Sequence, residues 1–277
     1  MKIKHRISLN SRIDDKFYRF INKIGIKYKS VEMPGGKSQF IYFDITESDP
    51  LWLEIAPMIP TSKVVDVYDT YFTKNEVLSA EWARLVSSYI EGYPEPFETW
   101  VTSPINYINN CRECGTFQQA SNFQIKREPA LRGNDFMTLN WAVSAFFCTP
   151  QVISVFNSHQ IKGYEPWKVI LTKTESESKK IYQLFVPNET APGLLEVSDL
   201  ASEICPKCNI TRYSHHLRGE MLYKRESIDL GLDIVRSKEW FGAMRDAYQE
   251  ILVSNRVIKL VIKNGWKGIR FKVVKLI

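Results

Sequence analysis

Residues Thr149–Leu171 read TPQVISVFNSHQIKGYEPWKVIL, and residues Ser254–Leu276 read SNRVIKLVIKNGWKGIRFKVVKL. Laid on one another without a gap, at an offset of 105 positions (254 − 149), the two stretches share six identities in 23 positions. The identities are Val152/Val257, Ile153/Ile258, Lys162/Lys267, Gly163/Gly268, Val169/Val274 and Leu171/Leu276. Thr149 and Ser254 are both residue types that cap helix N-termini, and Val155/Leu260 and Phe156/Val261 are both apolar pairs. Each copy therefore predicts a helix, a glycine turn and a strand. The competing reading is chance resemblance between two amphipathic segments.

A C-x-x-C pair precedes each copy: Cys111 and Cys114 before the first, Cys205 and Cys208 before the second. Two cysteines separated by two residues clasp one tetrahedral ion from a tight turn, and a second such turn completes an all-thiolate zinc site. Asn109, Asn110 and Gly115 around the first pair, and Pro206 and Asn209 in the second, are turn formers suited to such knuckles. The pairs begin 94 residues apart (205 − 111), so the ion would join distant segments rather than fold a small module. The alternatives are disulfides, a redox motif and free thiols. Neither pair follows a visible βαβ unit, and a cytosolic chain keeps its thiols reduced, which favours structural zinc. His215 and His216 follow Cys208 closely enough to replace one cysteine, although a solvated or locally hydrogen-bonded pair is the simpler reading. Cys148, in an apolar run, is expected to be a small core residue.

The first hundred residues alternate helical and strand patterns. Asp15–Ile24 places Phe17, Phe20, Ile21 and Ile24 on one face and stops at Gly25. Strands are expected over Ile26–Met33 and Gln39–Ile45 around the Pro34-Gly35-Gly36 turn, and over Leu51–Ile55 and Lys63–Tyr68. Gly36-Lys37-Ser38 is not a phosphate-binding loop, because Val31 stands where that motif needs a Gly. Thr73 and Glu76 form a capping-box pattern ahead of Leu78, Trp82, Leu85, Val86 and Tyr89, which predicts a helix reaching Tyr89. The proline-rich stretch Gly92–Pro104 marks the expected boundary between an N-terminal α+β unit, residues 1–104, and a double-CxxC unit, residues 105–277. The fold class expected is α+β: mixed helices and antiparallel sheets, with two helix-turn-strand units joined by a zinc-knuckle pair.

The chain has 277 residues, 44% hydrophobic and 13% aromatic, enough apolar surface to exclude disorder and disulfide-stapled mini-proteins. The net charge is +6, a mild bias by itself. Basic residues interrupt every apolar run of the N-terminus, so no signal peptide is read there, and a cytoplasmic location is expected. Phe136–Ile161 holds no Asp, Glu, Lys or Arg, but Asn140, Thr149, Pro150, Asn157 and His159 make a buried helix pair the better reading than a membrane span. No nucleophile elbow, zinc-protease helix or dinucleotide fingerprint is present, and acids such as Asp66, Asp69 and Glu76 suit a helix dipole. No catalytic residue is assigned. From Asn255 onward there are seven basic residues and no acid; Arg270 and Lys272 alternate with Ile269, Phe271 and Val273, which places them on the outer face of a final strand. A solvated face is the favoured reading there, with a nucleic-acid surface as the alternative.

The two knuckles, the first continuing as Cys111-Arg112-Glu113-Cys114-Gly115, together with the turn-strand Gly265-Trp266-Lys267-Gly268-Ile269-Arg270-Phe271, resemble the double-CxxCG-motif immunity proteins of bacterial polymorphic toxin systems. The resemblance covers roughly Asn109 to Ile277, and Asn209 stands where the family's second knuckle has Gly. It implies a non-enzymatic protein that binds and neutralises a cognate toxin on a zinc-held scaffold. No membrane partner is expected from the hydropathy pattern. The runner-up expectation is a zinc-ribbon-like protein that binds nucleic acid through its basic C-terminal segment.

Overall fold

A computed structural model describes residues 1–36, 38–100, 105–108, 111–195, 200–243 and 246–277. Lys37, Asn109, Asn110 and the end of the proline-rich stretch, 101–104, lie outside them. The architecture is α+β with mostly antiparallel sheets, in two compact units: Met1–Thr73 with Leu217–Gly219, and Lys74–His216 with Glu220–Ile277. The division thus falls at Thr73, ahead of the boundary expected within Gly92–Pro104. The reason is that residues 82–87 are hydrogen-bonded into the middle of the second unit's largest sheet.

The first unit comprises β1 (Lys2–Asn10), α1 (Asp15–Lys23), β2 (Lys29–Glu32), β3 (Gln39–Thr46), α2 (Trp52–Ile55) and β4 (Val65–Tyr71). Its strands form one antiparallel sheet in the order β2-β3-β1-β4. The Asp14 carboxylate caps α1 by accepting the Phe17 N–H at 3.2 Å, and Phe17 and Ile21 bury against Ile7, Leu9, Ile41 and Phe43. Leu51–Ile55, expected as a strand, is instead helical and runs into a 3-10 turn over Ala56–Thr61. Asp49 accepts the Leu51 N–H at 3.0 Å and starts that turn, and Leu51 and Ile55 are one helical turn apart on the buried side.

The second unit contains α3 (Lys74–Ser79), β5 (Trp82–Ser87), α4 (Phe97–Trp100), β6 (Tyr107–Ile108), β7 (Gln118–Gln119), β8 (Gln124–Ile125), β9 (Phe136–Leu139), β10 (Ala142–Cys148), α5 (Pro150–Ser158), β11 (Glu165–Leu171), β12 (Ser176–Phe185), β13 (Ser202–Ile204), β14 (Thr211–Tyr213), β15 (Met221–Tyr223), β16 (Ile234–Phe241), β17 (Tyr248–Ser254), α6 (Asn255–Asn264) and β18 (Ile269–Leu276). Five strands form one sheet, β8-β11-β12-β10-β9, and seven form another, β13-β14-β16-β17-β5-β18-β15. Two expectations are corrected here. The helix from Thr73 stops at Ser79, because Trp82–Leu85 is a strand buried on both faces, whose continuous burial mimics helical spacing. The first half of the presumed helix pair in Phe136–Ile161 is the β9–β10 hairpin, while the helix begins after Thr149 as expected. No helix among the described residues is long and apolar enough to cross a membrane.

The internal repeat is larger than the aligned 23 residues. The set β9, β10, α5, β11, β12 matches β16, β17, α6, β18, β5, register for register. Gln183 lies opposite Phe147 and Trp167, as Arg84 lies opposite Leu252 and Lys272. Ile170 and Leu171 pair in parallel with Gln124 and Ile125, as Lys275 and Leu276 pair with Leu222 and Tyr223. The closing strand differs only in where the chain supplies it: β12 follows β11, whereas β5 precedes the second copy. Chance resemblance does not produce such matched registers.

The copies clasp each other reciprocally. The Lys162 carbonyl accepts the N–H groups of Asp233 (3.0 Å) and Ile234 (3.1 Å), and the Lys267 carbonyl accepts those of Asp135 (3.0 Å) and Phe136 (2.9 Å). Each lysine N–H donates back to the aspartate, Lys162 to Asp233 at 3.1 Å and Lys267 to Asp135 at 3.0 Å. Gly163 (φ +99) and Gly268 (φ +96) sit in these clasps, where a Cβ would meet the carbonyl oxygens of Ile234 at 2.0 Å and Phe136 at 1.8 Å. No residue with a side chain fits that approach.

Candidate metal centre

Each knuckle is a turn closed by its own backbone. Cys111 N–H donates to the Thr116 carbonyl (2.9 Å) and Gly115 N–H to the Cys111 carbonyl (2.7 Å). In the second, Cys205 N–H donates to the Ile210 carbonyl (3.0 Å) and Asn209 N–H to the Cys205 carbonyl (2.9 Å). The fifth position of each turn is left-handed, with φ +78 at Gly115 and +58 at Asn209. Asn is among the side-chain-bearing residues that enter this region most readily, so the second knuckle keeps its geometry without the glycine.

The turns bring all four thiols together. Cys111 Sγ is 3.8 Å from Cys205 Sγ, Cys114 Sγ is 3.5 Å from Cys208 Sγ, and the four sulfur atoms lie within 4.8 Å of one another. The close pairs join equivalent cysteines, one from each knuckle. A tetrahedral ion with metal–sulfur bonds of about 2.3 Å sets its ligands about 3.8 Å apart, close to the spacing of the two near pairs. A disulfide would need about 2.05 Å, and all four cysteines are free. The group can hold a metal ion. Cys111, Cys114 and Cys205 are buried and Cys208 is half-buried, and four thiolates would complete the shell with no position left for substrate.

The surroundings pull the two thiols of the first knuckle in opposite directions. Backbone N–H groups of Cys114 and Glu113 hold the Cys111 thiol down to about 7, while burial pushes Cys114 up to about 12. The Thr116 hydroxyl lies 3.3 Å from Cys114 Sγ and 3.8 Å from Cys208 Sγ. Arg212 donates to the Cys114 carbonyl at 2.9 Å and pairs with Glu203, fixing a guanidinium beside the first knuckle.

The histidines lie elsewhere. His215 stacks on Tyr248 with its Nδ1 2.8 Å from the phenol oxygen, and His216 Nδ1 is 3.2 Å from Arg84 Nη2. Arginine only donates, so His216 Nδ1 is the acceptor and the imidazole carries its proton on Nε2. Burial, and then the charges of Arg84 and Lys272, lower His216 to about 4. Neither histidine belongs to the metal-capable group. Cys148 is fully buried, as expected.

Two buried polar clusters escape sequence reading. Arg84, 2% exposed, bonds Glu250 at 2.6 Å, and Lys272, 5% exposed, faces it from β18. Lys272 therefore does not lie on an outer face as its alternation suggested, because both faces of β18 are covered over Lys272–Val274, three successive buried residues. In the first unit, His5 bonds Asp66 (3.0 Å) through Nδ1 and Glu47 (3.1 Å) through Nε2, with its ring 3.9 Å from that of Trp52. The one available signal for the first cluster is a lone Arg inside the apolar run Trp82–Val86.

Compared with known proteins, the chain matches no family model and no curated protein.

Proposed function

We propose that this chain is an immunity protein that binds and neutralises a cognate bacterial toxin, on a scaffold stapled by a structural zinc ion at Cys111, Cys114, Cys205 and Cys208. The observation that carries the reading is the meeting of two matched knuckles, one from each copy of a duplicated fold, at the sulfur spacing of a tetrahedral site. All-thiolate donors in a closed group suit zinc better than oxygen-seeking ions. The knuckles and the Gly265–Phe271 turn-strand carry the resemblance to the double-CxxCG immunity proteins, and Asn209 keeps the left-handed turn where that pattern has Gly.

Elemental analysis of protein purified without added zinc is expected to give about one zinc per chain, lost when all four cysteines become Ser. Freshly reduced protein without metal would overturn the staple. For the immunity reading, cells expressing a cognate toxin are expected to grow only when the chain is co-expressed, and an unrelated toxin is expected to remain lethal. Failure to rescue while zinc is bound would remove the toxin assignment and leave the staple standing.

A further inference from the structure

The duplication supplies an internal control for surface charge. Residues 255–277 carry Arg256, Lys259, Lys263, Lys267, Arg270, Lys272 and Lys275 and no acid, a formal +7. The chain's total of +6 less this +7 leaves −1 on residues 1–254. The matching residues 150–172 carry only Lys162, Lys168 and Glu165, a formal +1. The same helix, glycine turn and strand are therefore built with and without the charge, so folding does not require it.

Lys259 and Lys263 lie on the exposed side of α6, and Lys267 lies in the turn that follows the helix. Lys259, Lys263 and Lys267 are exposed, and among the described residues none of the three is paired with a carboxylate. Lys259 and Lys263 are one turn apart, a rise of about 6 Å. The equivalent positions on α5 and its turn are Ser154, Ser158 and Lys162, also exposed. Arg256 is partly engaged, bonding Asp233 and the His159 carbonyl at 2.8 Å each. Between residues 255 and 276 no large apolar side chain is exposed. A membrane surface or a protein interface is anchored by exposed apolar or aromatic side chains, whereas here Ile262 and Trp266, the neighbours of these lysines, are half-buried. Charge without an apolar anchor fits a phosphate backbone.

We infer that the ridge Lys259–Lys263–Lys267 is a sequence-independent nucleic-acid contact that follows successive phosphates. It is independent of the toxin-binding proposal and survives if that proposal fails.

The test is fluorescence anisotropy with a labelled 20-base-pair DNA duplex and the metal-loaded full chain. Binding at or below about 10 μM is expected in 50 mM salt, weakening about 40-fold by 200 mM, as three released counterions require. K259E/K263E is expected to weaken binding more than tenfold, whereas K179E/K180E, an equal charge change on β12, should leave it within about threefold. Circular dichroism and zinc content report whether each variant is folded, and K259Q/K263Q replaces the reversal if it is not. No anisotropy change up to about 100 μM protein, the weak end of non-specific binding, would overturn the inference. So would equal loss in the β12 variant, or competition by poly-glutamate matching that of unlabelled duplex.

Discussion

The two copies in the second unit agree where they touch each other and differ where they face inward or outward. Both keep the left-handed glycine, the clasping aspartate and the strand register, and both contribute one cysteine knuckle. The closing strand's Gln183 in one copy becomes Arg84 in the other, and Ala145 becomes Glu250. The small, apolar-compatible polar set of the first copy, in which Gln183 pairs with Gln119 at 2.7 and 2.8 Å, is replaced by a buried ionic one. The fold thus fixes the joint between the copies and leaves their sheet faces free to diverge.

The sharpest way to break this symmetry is at the clasps. Gly163→Ala and Gly268→Ala are each expected to cost about 4 kcal/mol or more, since the new Cβ collides with backbone that cannot yield as a side chain would. Urea denaturation would check it, and a mild loss at one glycine alone would show that the clasps are not equivalent. Next comes the inner face. Glu250→Ala installs what the first copy already has at Ala145, yet it removes the carboxylate that pairs with the buried Arg84 and should cost about 3 kcal/mol. Gln183→Ala removes only a neutral pair and should cost about 1 kcal/mol.

A smaller effect is pH-dependent and belongs to the second copy alone. His216 titrates near 6.5 when unfolded and about 4 when folded, so below pH 6.5 the unfolded chain takes up a proton that the folded chain refuses. Stability is therefore full above pH 6.5 and falls toward pH 4, by about 2 kcal/mol between 6.5 and 5. His216→Asn, which retains an acceptor, is expected to flatten that part of the profile measured by denaturation against pH. The smallest change is at the knuckles: Asn209→Gly is expected to stabilise by less than about 1 kcal/mol, whereas Gly115→Ala should destabilise by about 1 kcal/mol. Equal melting shifts of one sign would contradict it.

Sequence reading located the cysteine group, the helix-turn-strand copies and α1, because cysteine spacing, glycine turns and helical periodicity are local signals. It missed β5 and the β9–β10 hairpin, since strands buried on both faces read as unbroken apolar runs and lose the period of two. Lys272 was misplaced for a related reason: alternation tells two faces apart but not which of them is covered. The Arg84–Glu250 pair was invisible because its partners are 166 residues apart. The full extent of the repeat was hidden by the displaced closing strand, which breaks any linear alignment.

That displaced strand sets the order of assembly on the ribosome. Residues 124–185 hold every strand of the first copy's sheet and can close it as soon as they emerge. β5 is made before all of them, but among the described residues its strand partners are β17 and β18, so it must wait, with Arg84 apart from Glu250, until residues 248–276 have been synthesised. The second sheet therefore closes by its most sequence-distant contacts, the slow class of folding step, and its closing strand is the first of its strands to be made and the last to find its neighbours.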